Sequence, residues 1–179
     1  MEQRISLNLP ADEAALNELK VGQMIYINGT IYTARDQAHM RMIKELNEGV
    51  ALPISLLNAA IYYCGPSPKQ PGKIVGAIGP TTSSRMDKLT LPLLEKGMKI
   101  MIGKGKRSQE IIEGIKKYKA VYLSAIGGAG ALYANCIKSF ETAGYEDLMA
   151  EAIYKLEVEN FPAVVAVDSK GNSIFQENE

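Results

Sequence analysis

The amino-acid sequence predicts a mixed α/β fold, with residues 1–179 forming one domain. The chain has 179 residues, of which 46% are hydrophobic, enough to bury one substantial core. Short β-forming runs alternate with amphipathic stretches of helical period along most of the chain. Two hairpin signals interrupt this alternation, which favours a sheet with both parallel and antiparallel strands over a purely parallel one.

The first half of the chain carries signals for both strands and helices. In order, the predicted elements are a strand at 4–9, a helix at 11–20, a β-hairpin at 23–34, a helix at 35–49, and strands at 59–65 and 73–79. The hairpin prediction depends on Asn28-Gly29, because this dipeptide between two β-forming runs favours a tight turn. Gly49 is expected to end the second helix, where glycine is the preferred residue.

The second half continues the alternation without an internal repeat or linker. Its predicted elements are a helix at 84–97, a strand at 98–103, a helix at 108–119, a strand at 120–128, a helix at 129–140 and a hairpin at 161–175. Pro92 is expected to kink or break the first of these helices, because proline removes a backbone hydrogen bond. Ile111, Ile112 and Ile115 share one face of the helix at 108–119.

The charge and hydropathy patterns exclude several classes of protein. The 20 basic residues balance 20 acidic residues, which argues against a nucleic-acid-binding protein that works through bulk charge. The N-terminal segment lacks the basic start and apolar run of a signal peptide, and no apolar run approaches the ~20 residues needed to cross a bilayer. We therefore expect a cytoplasmic protein with neither nucleic acid nor a membrane as its partner.

The chain has two cysteines, Cys64 and Cys136, and one histidine, His39. Two thiolates are too few for an iron–sulfur cluster that needs three or four, and a zinc site built from this chain alone is equally unexpected. A single disulfide is one option, but the cysteine usage favours reduced thiols, and we expect both cysteines to be buried small apolar residues. The sequence thus predicts that this chain alone holds no metal.

Three polar segments each follow a predicted strand. They are TARDQAH at 33–39, GPTTSSRMD at 79–87 and GKGKR at 103–107. Loops at strand ends are where α/β folds bind ligands, and helix N-termini attract anions. Each segment carries a cation, namely Arg35, Arg85, and either Lys104 or Lys106. Because guanidinium groups bind carboxylates through paired hydrogen bonds, the pattern predicts a pocket for a small molecule with two or more carboxylates.

Each of these features also has a purely structural interpretation. A hydroxyl of the second segment can serve only as a helix cap, Arg35 and Asp36 can form a surface pair worth little, and Lys104 can be an ordinary turn lysine. The glycines of IGGAG at 126–130 lack the spacing of a nucleotide-binding motif, and close backbone packing explains them equally well. His39 lies one helical turn after Arg35 and can face the same site, but a lone histidine on a helix is more often structural.

Five segments at consistent spacing together resemble one known family. They are GTIYTARDQAHMR, GPTTSSRMD, IGKG, YLSAIGGAGALYA and IYKLEVENFPAVVAVDSKGN, in this order over nearly the whole chain. They are similar to the C-terminal domain of class I fumarases. They are still more similar to the separate β subunit of two-subunit fumarases and L(+)-tartrate dehydratases. The combination is far more specific than any one segment.

This resemblance implies a single mixed-sheet swivelling β/β/α domain that pairs with an α subunit. In this family the α subunit holds a [4Fe–4S] cluster on three cysteines, and the open iron acts as a Lewis acid on the hydroxyl that leaves or enters. The implied reaction is the reversible hydration of fumarate to (S)-malate, with dehydration of tartrate to oxaloacetate as the alternative. The implied assembly is an α2β2 hetero-oligomer, and the isolated chain is a candidate homodimer.

The resemblance also assigns roles by position. It implies that Arg35 and Arg85 bind substrate carboxylates and that Lys104 is a further carboxylate or carbonyl partner, with Lys106 as the weaker candidate. Thr81 matches the family position proposed as the catalytic general base at carbon 3. A threonine alkoxide is costly in water, so neighbouring cations in a dry pocket must stabilise it, and Arg85 lies one helical turn onward. The candidate supporting residues are His39, Thr82 and Asp36.

Two departures from the family pattern leave the substrate open. Two serines precede Arg85 where a small residue, often glycine, is expected, and GKGK has lysine where the family often has asparagine. Two other classes of function also remain. One is a stand-alone, cluster-free lyase that uses Lys104 as an amine base, and the other is a non-catalytic dicarboxylate-binding or assembly module.

Overall fold

The structure is a computed structural model that describes residues 3–176. Within these residues the strands are β1 (Ile5–Asn8), β2 (Met24–Thr33), β3 (Ala60–Tyr62), β4 (Ile100–Gly103), β5 (Val121–Ser124), β6 (Ile137–Gly144) and β7 (Ile153–Val167). The α-helices are α1 (Glu13–Asn17), α2 (Asp36–Asn47), α3 (Asp87–Glu95), α4 (Gln109–Tyr118) and α5 (Gly130–Ala134). Two 3₁₀ helices, Ser83–Met86 and Glu146–Glu151, precede α3 and β7.

The strands form one mixed sheet in the order β1-β2-β3-β4-β5-β7-β6. Strands β2, β3, β4 and β5 are parallel neighbours, whereas β7 runs antiparallel to β2, β5 and β6. Since β7 pairs with both β2 and β5, the strands β2-β3-β4-β5-β7 close into a ring of pairings. This sheet confirms the prediction of an α/β fold with both parallel and antiparallel pairs.

Alternate residues of the parallel strands face two separate cores. What we call the strand core takes residues from all the strands named above and includes Tyr62, Ile102, Leu123 and Phe161. What we call the helix core lies on the other side of the same strands, where α2, α3 and α4 pack against Ile61, Met101 and Tyr122. The period of two along each strand sends successive side chains into opposite cores.

The helices that follow β2 and β4 lie where the sequence predicts them. Helix α2 ends one residue before Glu48, and Gly49 then takes a φ of +70°, as expected of a glycine that stops a helix. Helix α4 has Ser108 as its N-cap, with Ser108 Oγ accepting a hydrogen bond from the Ile111 N–H at 3.3 Å. Ile111 and Ile115 of α4 are buried as predicted, and Ile112 is partly buried.

The hairpin predicted at 23–34 is wrong, because these residues form one continuous strand, β2. The Asn28 side chain binds the neighbouring segments and does not turn the chain. Its Nδ2 group donates to Asn8 Oδ1 at 3.3 Å, and its Oδ1 accepts a hydrogen bond from the Asn160 N–H at 2.9 Å. Asn28 therefore joins β2 to the segments on both sides of it.

Gly29 has the positive φ that a type I′ turn requires, but it has it within a strand. Its φ is +112°, and a Cβ at this position would lie 2.5 Å from the Leu9 carbonyl oxygen. The register against β7 also shifts here, since Ile27 pairs with Phe161 and Gly29 with Val158. Strand β7 thus has an extra residue opposite this point, which makes the irregularity a β-bulge and not a turn.

The strand predicted at 73–79 is also wrong, because its backbone groups bond to loops. The Ala77 carbonyl accepts a hydrogen bond from the Ser67 N–H at 2.9 Å, and the Ile78 N–H donates to the Gly130 carbonyl at 3.2 Å. These partners, which lie outside the sheet, take up backbone groups that a strand would use. The segment therefore stays outside the sheet.

Of the helix predicted at 129–140, only Gly130–Ala134 is an α-helix, α5. The second half of the predicted helix instead includes the start of β6, the last strand in the sheet order, which pairs antiparallel with β7. Pairing with a long neighbouring strand outweighs the local helical pattern, since strand formation depends strongly on context. Helix α1 is likewise shorter than predicted, with Asp12 as its N-cap.

Two smaller predictions have opposite outcomes. Helix α3 is not broken at Pro92, which lies inside it. The segment at 168–172 does turn the chain, as predicted, and the Asp168 carboxylate accepts hydrogen bonds from the Lys170 and Asn172 N–H groups, both at 3.0 Å.

None of the helices between residues 3 and 176 combines the length and apolarity that crossing a bilayer would take.

Candidate active site

The three polar segments come together at one edge of the sheet. Because β2, β3, β4 and β5 are parallel neighbours, their carboxyl ends meet at the same edge. The segment at 33–39 leads from β2 into α2, and the segment at 103–107 follows β4. The segment at 79–87 is attached to the latter, since the Ser83 N–H donates to the Lys104 carbonyl at 2.9 Å.

Arg35 and Arg85 approach a single carboxylate, that of Asp36. The Arg35 Nε atom lies 3.7 Å from Asp36 Oδ1, and the Arg85 Nε atom lies 3.3 Å from Asp36 Oδ2. Glu151 supplies a second carboxylate, 3.9 Å from Arg35 Nε. The side chains of Arg35 and Arg85 are 27% and 53% exposed, so both guanidinium groups reach the surface of this chain.

Arg35 is the N-cap residue of α2, and its extended backbone turns the chain from β2 into the helix. Its side chain passes along Gly65, which lies just beyond β3. A Cβ at Gly65 would lie only 3.2 Å from Arg35 Cδ. The glycine thus leaves the room that the Arg35 side chain needs to reach the edge of the sheet.

Several buried polar atoms at this edge lack a hydrogen-bond partner among the described residues. They are Arg35 Nε, Asp36 Oδ1, His39 Nε2 and the hydroxyl oxygen of Tyr63. The first three belong to the start of α2, and the Tyr63 ring packs edge-on against His39. Buried polar atoms are nearly always paired in native proteins, so their concentration here marks this edge as a place for function.

Thr81 is held beside the end of β3 by its backbone. The Thr81 N–H donates to the Tyr63 carbonyl at 2.7 Å, and Thr82 forms an isolated parallel bridge with Lys104. Thr81 is partly buried, whereas Thr82 and Arg85 are exposed. The segment therefore presents Thr81 and Arg85 at the same edge as Arg35.

The helix-cap interpretation of the hydroxyls in this segment is wrong. Thr82 precedes the 3₁₀ helix without making a side-chain cap hydrogen bond, and Met86 is the residue before α3. Ser83 is buried, and its Oγ lies 2.8 Å from the Tyr122 hydroxyl. The hydroxyl of Ser83 thus anchors the segment to β5, and the hydroxyls of Thr81 and Thr82 cap no helix.

Lys104 is partly buried and lies against the loop that follows β5. A Cβ at Gly127 would lie 3.5 Å from Lys104 Cδ and 3.8 Å from its Nζ. Lys106 is exposed. Lys104 is therefore the lysine of this segment whose side chain packs against the loop after β5.

Close backbone packing does explain Gly130 in IGGAG. A Cβ at this residue would lie 2.7 Å from the Gly79 backbone nitrogen. Gly130 lets the loop after β5 pack directly on the segment that leads to Thr81. It thereby brings two loops of the site edge into contact.

His39 lies beneath the two arginines in the helix core. It is fully buried, and its Nδ1 lies 2.8 Å from the Arg35 carbonyl oxygen. Burial lowers the pKa of His39 to about 4, so the ring is neutral at physiological pH. His39 therefore supports the Arg35 backbone from below and does not face the exposed part of the site.

Sequence reasoning missed Arg107 as a member of this edge. Its guanidinium group is fully buried in the helix core and its Nε donates to Asp87 Oδ1 at 2.6 Å. The rings of Tyr63 and Tyr122 lie 5.2 and 5.0 Å from its Cζ atom. Nothing in the polar stretch GKGKR signals that its last residue points inward.

The thiols of this chain do not fit an iron–sulfur cluster. Both cysteines are free, and Cys64 is buried as predicted, whereas Cys136 is only partly buried. Burial raises the pKa of the Cys64 thiol to about 12 and raises the pKa of Cys136 as well. Cluster ligands must be thiolates, which such surroundings disfavour. Within residues 3–176, moreover, no group of three or more His, Cys, Asp or Glu side chains is arranged to hold a metal ion.

This arrangement can bind an anion with more than one carboxylate. Two guanidinium groups meet at Asp36, and an ammonium group lies on the adjoining loop. Charge-assisted hydrogen bonds to carboxylates are about twice as strong as neutral ones. Because Arg35 and Arg85 are partly exposed, their side chains are accessible to such an anion from solvent.

The family model described as Fumarase C-terminus matches residues 1–178. The chain is 42% identical over 178 residues to "Fumarate hydratase class I, aerobic" of Escherichia coli (strain K12), a match that covers 97% of this chain and 32% of that protein. It is 40% identical over 177 residues to "Fumarate hydratase 1, mitochondrial" of Leishmania major, covering 97% of this chain and 32% of that protein.

A third relative has nearly the same length as the matched region. It is named "Putative L(+)-tartrate dehydratase subunit beta" of Methanocaldococcus jannaschii and is 40% identical over 168 residues, covering 90% of this chain and 86% of that protein. The chain thus spans about a third of the two fumarate hydratases and most of the β subunit. These matches confirm the resemblance seen in the sequence, and the chain belongs to the fumarase C-terminus family.

Proposed function

We propose that this chain is the β subunit of an iron–sulfur-dependent hydro-lyase that catalyses the reversible hydration of fumarate to (S)-malate. One observation carries the proposal. Arg35 and Arg85 meet at the Asp36 carboxylate on the edge that also holds Thr81 and Lys104. A cluster of cations beside a hydroxyl suits a small dicarboxylate, and the names of the relatives support fumarate as that dicarboxylate.

In this proposal Arg35 and Arg85 bind the carboxylates of the substrate. Asp36 and Glu151 hold the two guanidinium groups in place before the substrate arrives. A substrate dianion then competes for the same N–H donors and offers better bidentate geometry than contacts of 3.3 to 3.9 Å. Lys104, packed along Gly127, binds a further carboxylate or carbonyl oxygen.

Thr81 is the proposed catalytic base that removes the proton from carbon 3 of malate and returns it in the hydration direction. Its alkoxide requires nearby positive charge and the exclusion of water. Arg85 supplies the charge from the same segment, but it is 53% exposed in this chain. We therefore propose that a partner subunit covers the exposed side of the site and excludes water from it.

The partner in this proposal is an α subunit that holds a [4Fe–4S] cluster in an α2β2 assembly. The free thiols of this chain support that assignment, because Cys64 is buried and protonated. We further propose that residues 1–179 form one domain of the swivelling β/β/α type. The cytoplasm is the proposed location.

Dehydration of L(+)-tartrate to oxaloacetate is the second candidate. The observation that favours it is the match to the M. jannaschii protein, whose name gives that activity and of which the match covers 86%. Both candidate substrates are dicarboxylates, so the same arginines would bind either. The choice between them is decided by comparing kcat/KM for the two substrates.

The experiment that tests the proposal begins with anaerobic capture of the tagged full chain from its native cells. We expect a second polypeptide, roughly four iron atoms per copy of that polypeptide, and hydration of fumarate by the complex. Capture of the chain alone, without iron and without hydratase activity, would overturn the proposal. That result would favour a cluster-free lyase or a non-catalytic dicarboxylate-binding or assembly module.

The same complex then tests the roles of Arg85 and Thr81. Arg85→Ala and Thr81→Ala are each expected to lower kcat/KM about 10²–10³-fold, since each removes a group that acts on the reacting substrate. The matched control is Arg41→Ala, because Arg41 is a partly exposed arginine of α2 that pairs with Asp147 and not with Asp36. Turnover near that of the wild type in either site variant would remove the role assigned to that residue.

A further inference from the structure

Arg107 forms a buried polar centre beneath the site edge. Its side chain has no solvent exposure. Its Nε donates to Asp87 Oδ1 at 2.6 Å, and its Nη2 donates to Thr90 Oγ1 at 3.2 Å. Its Nη1 lies 3.5 Å from the Met101 sulfur. Each nitrogen of the guanidinium group therefore has a protein neighbour, and the group is fully enclosed.

The two aromatic rings around Arg107 each connect to the Thr81–Arg85 segment. Tyr63, 5.2 Å from the Arg107 Cζ atom, accepts the Thr81 N–H through its backbone carbonyl. Tyr122, 5.0 Å away, places its hydroxyl 2.8 Å from both Ser83 Oγ and the Gly105 carbonyl oxygen. Arg107 thus packs between the residues that hold the second and third polar segments.

Asp87 completes the connection from the other side. Its Oδ1 accepts from Arg107, and its Oδ2 accepts from the Ser108 N–H at 2.8 Å. Asp87 begins α3, two residues after Arg85, whereas Ser108 caps α4. One carboxylate therefore ties the end of the Arg85 segment to the end of the Lys104 segment.

A buried ion pair of this kind is hard to explain by stability alone. Removing two charges from water is costly, and apolar replacements of similar volume are often neutral or stabilising. What an apolar side chain could not supply is directional bonding to Asp87 and Thr90 at fixed distances. The geometry of the pair, more than its energy, distinguishes it from an apolar packing contact.

We infer that Arg107 is a positioning residue, which fixes the distance between the segment that carries Thr81 and Arg85 and the segment that carries Lys104. It touches no substrate in this scheme and acts through Asp87, Tyr63 and Tyr122. The inference deepens the proposed function, on which its kinetic consequence rests. Its structural consequence concerns this chain only and is tested independently.

The structural test is amide hydrogen exchange on the full chain with Arg107→Lys and Arg107→Met. The methionine variant keeps an apolar stem of similar length but loses every donor, and lysine keeps the charge but loses the planar fork. We expect about tenfold faster exchange at 81–87 and 103–108 in the methionine variant, with lysine intermediate. The control is Leu16→Ala in the strand core, which lowers stability without touching Arg107.

The inference is overturned if the two segments exchange no faster, relative to the rest of the chain, than in a Leu16→Ala protein of equal melting temperature. If Arg107→Met does not fold, Arg107→Lys decides, because it retains the buried cation. In the native complex we expect Arg107→Lys to raise the KM for fumarate about tenfold while kcat changes less, since substrate binding depends on both segments. A wild-type complex without hydratase activity would overturn the proposed function, and hydrogen exchange alone would then decide the role of Arg107.

Discussion

The strand core and the helix core differ in how they treat buried polar groups. In the strand core the hydroxyls of Tyr62 and Tyr133 both donate to backbone carbonyl groups. In the helix core, His39 Nε2 and the Tyr63 hydroxyl have no partner among the described residues, and Arg107 is a buried cation. The strand core thus has the properties of a structural interior. The helix core lies under the candidate site, and some of its buried polar atoms make no hydrogen bond with the described residues.

The largest effect expected from this comparison is on stability, in the strand core. Phe161 is fully buried, stacked on Tyr133 at 4.4 Å between ring centroids and edge-on to Tyr62 at 5.3 Å. Phe161→Ala is expected to lower the free energy of unfolding by about 3–5 kcal/mol, because it leaves a cavity in a closely packed interior. Urea unfolding followed by circular dichroism measures the loss.

Phe161→Leu is the control for that prediction, since it keeps most of the buried volume and should cost clearly less. Both variants are expected to leave the KM for fumarate in the native complex unchanged. A clear rise in the KM for fumarate in Phe161→Ala would contradict this expectation. The two cores would then contribute to the site alike.

The sequence predicted the positions of the candidate residues better than the contacts that hold them. Polar segments after strands point to the carboxyl edge of a parallel sheet, and Arg35 and Lys104 do lie there, after β2 and β4. Arg85 lies there too, but no strand directly precedes its segment, which reaches this edge through the hydrogen bond from the Ser83 N–H to the Lys104 carbonyl. For Arg35 and Lys104 that inference needs only the local order of strand and loop. The meeting of both arginines at Asp36 depends on the tertiary arrangement of α2 and the 79–87 segment, which no local pattern encodes.

Asn28-Gly29 and Arg107 show the same limit of local reasoning. Asn28-Gly29 does place a glycine at positive φ, but that glycine lies at a bulge between β2 and β7 and not in a turn. Arg107, at the end of a polar stretch, is expected on the surface by composition. It is buried because Asp87 and two tyrosine rings from other segments surround it.

The next largest effect is a pH dependence confined to the helix core. Burial lowers the pKa of His39 from 6.5 to about 4. Between these values the unfolded chain binds a proton that the native chain does not, so the free energy of unfolding falls as the pH is lowered from about 6.5 to 4. The full difference amounts to about 3 kcal/mol. Urea unfolding at several pH values across this window measures it.

His39→Asn is the matched variant, because an asparagine amide can still donate to the Arg35 carbonyl but does not titrate. His39 is the only histidine in the chain, so this variant should flatten the dependence between pH 6.5 and 5, and Phe161→Ala should run parallel to the wild type. Equal slopes for His39→Asn and the wild type would show that His39 is not the source. The pH dependence of the unfolding free energy would then not distinguish the helix core from the strand core.

The smallest of these effects concerns Gly103, where β4 meets the site edge. A Cβ there would lie 2.0 Å from Ser83 Oγ and 2.8 Å from a ring carbon of Tyr63. Gly103→Ala is expected to cost about 1–3 kcal/mol of unfolding free energy, because it overpacks the helix core. Gly79→Ala is the control, since its Cβ would approach Gly130 Cα no closer than 3.7 Å.

The more informative measurement on Gly103→Ala is the KM for fumarate in the native complex. Relief of the clash must displace Ser83 from its hydrogen bond with Tyr122, and Ser83 lies between Thr81 and Arg85. A small loss of stability should therefore come with a several-fold rise in KM, which Phe161→Ala does not produce despite its larger cost. If Gly103→Ala weakens the fold but leaves KM unchanged, the Thr81–Arg85 segment is positioned by something other than the helix core.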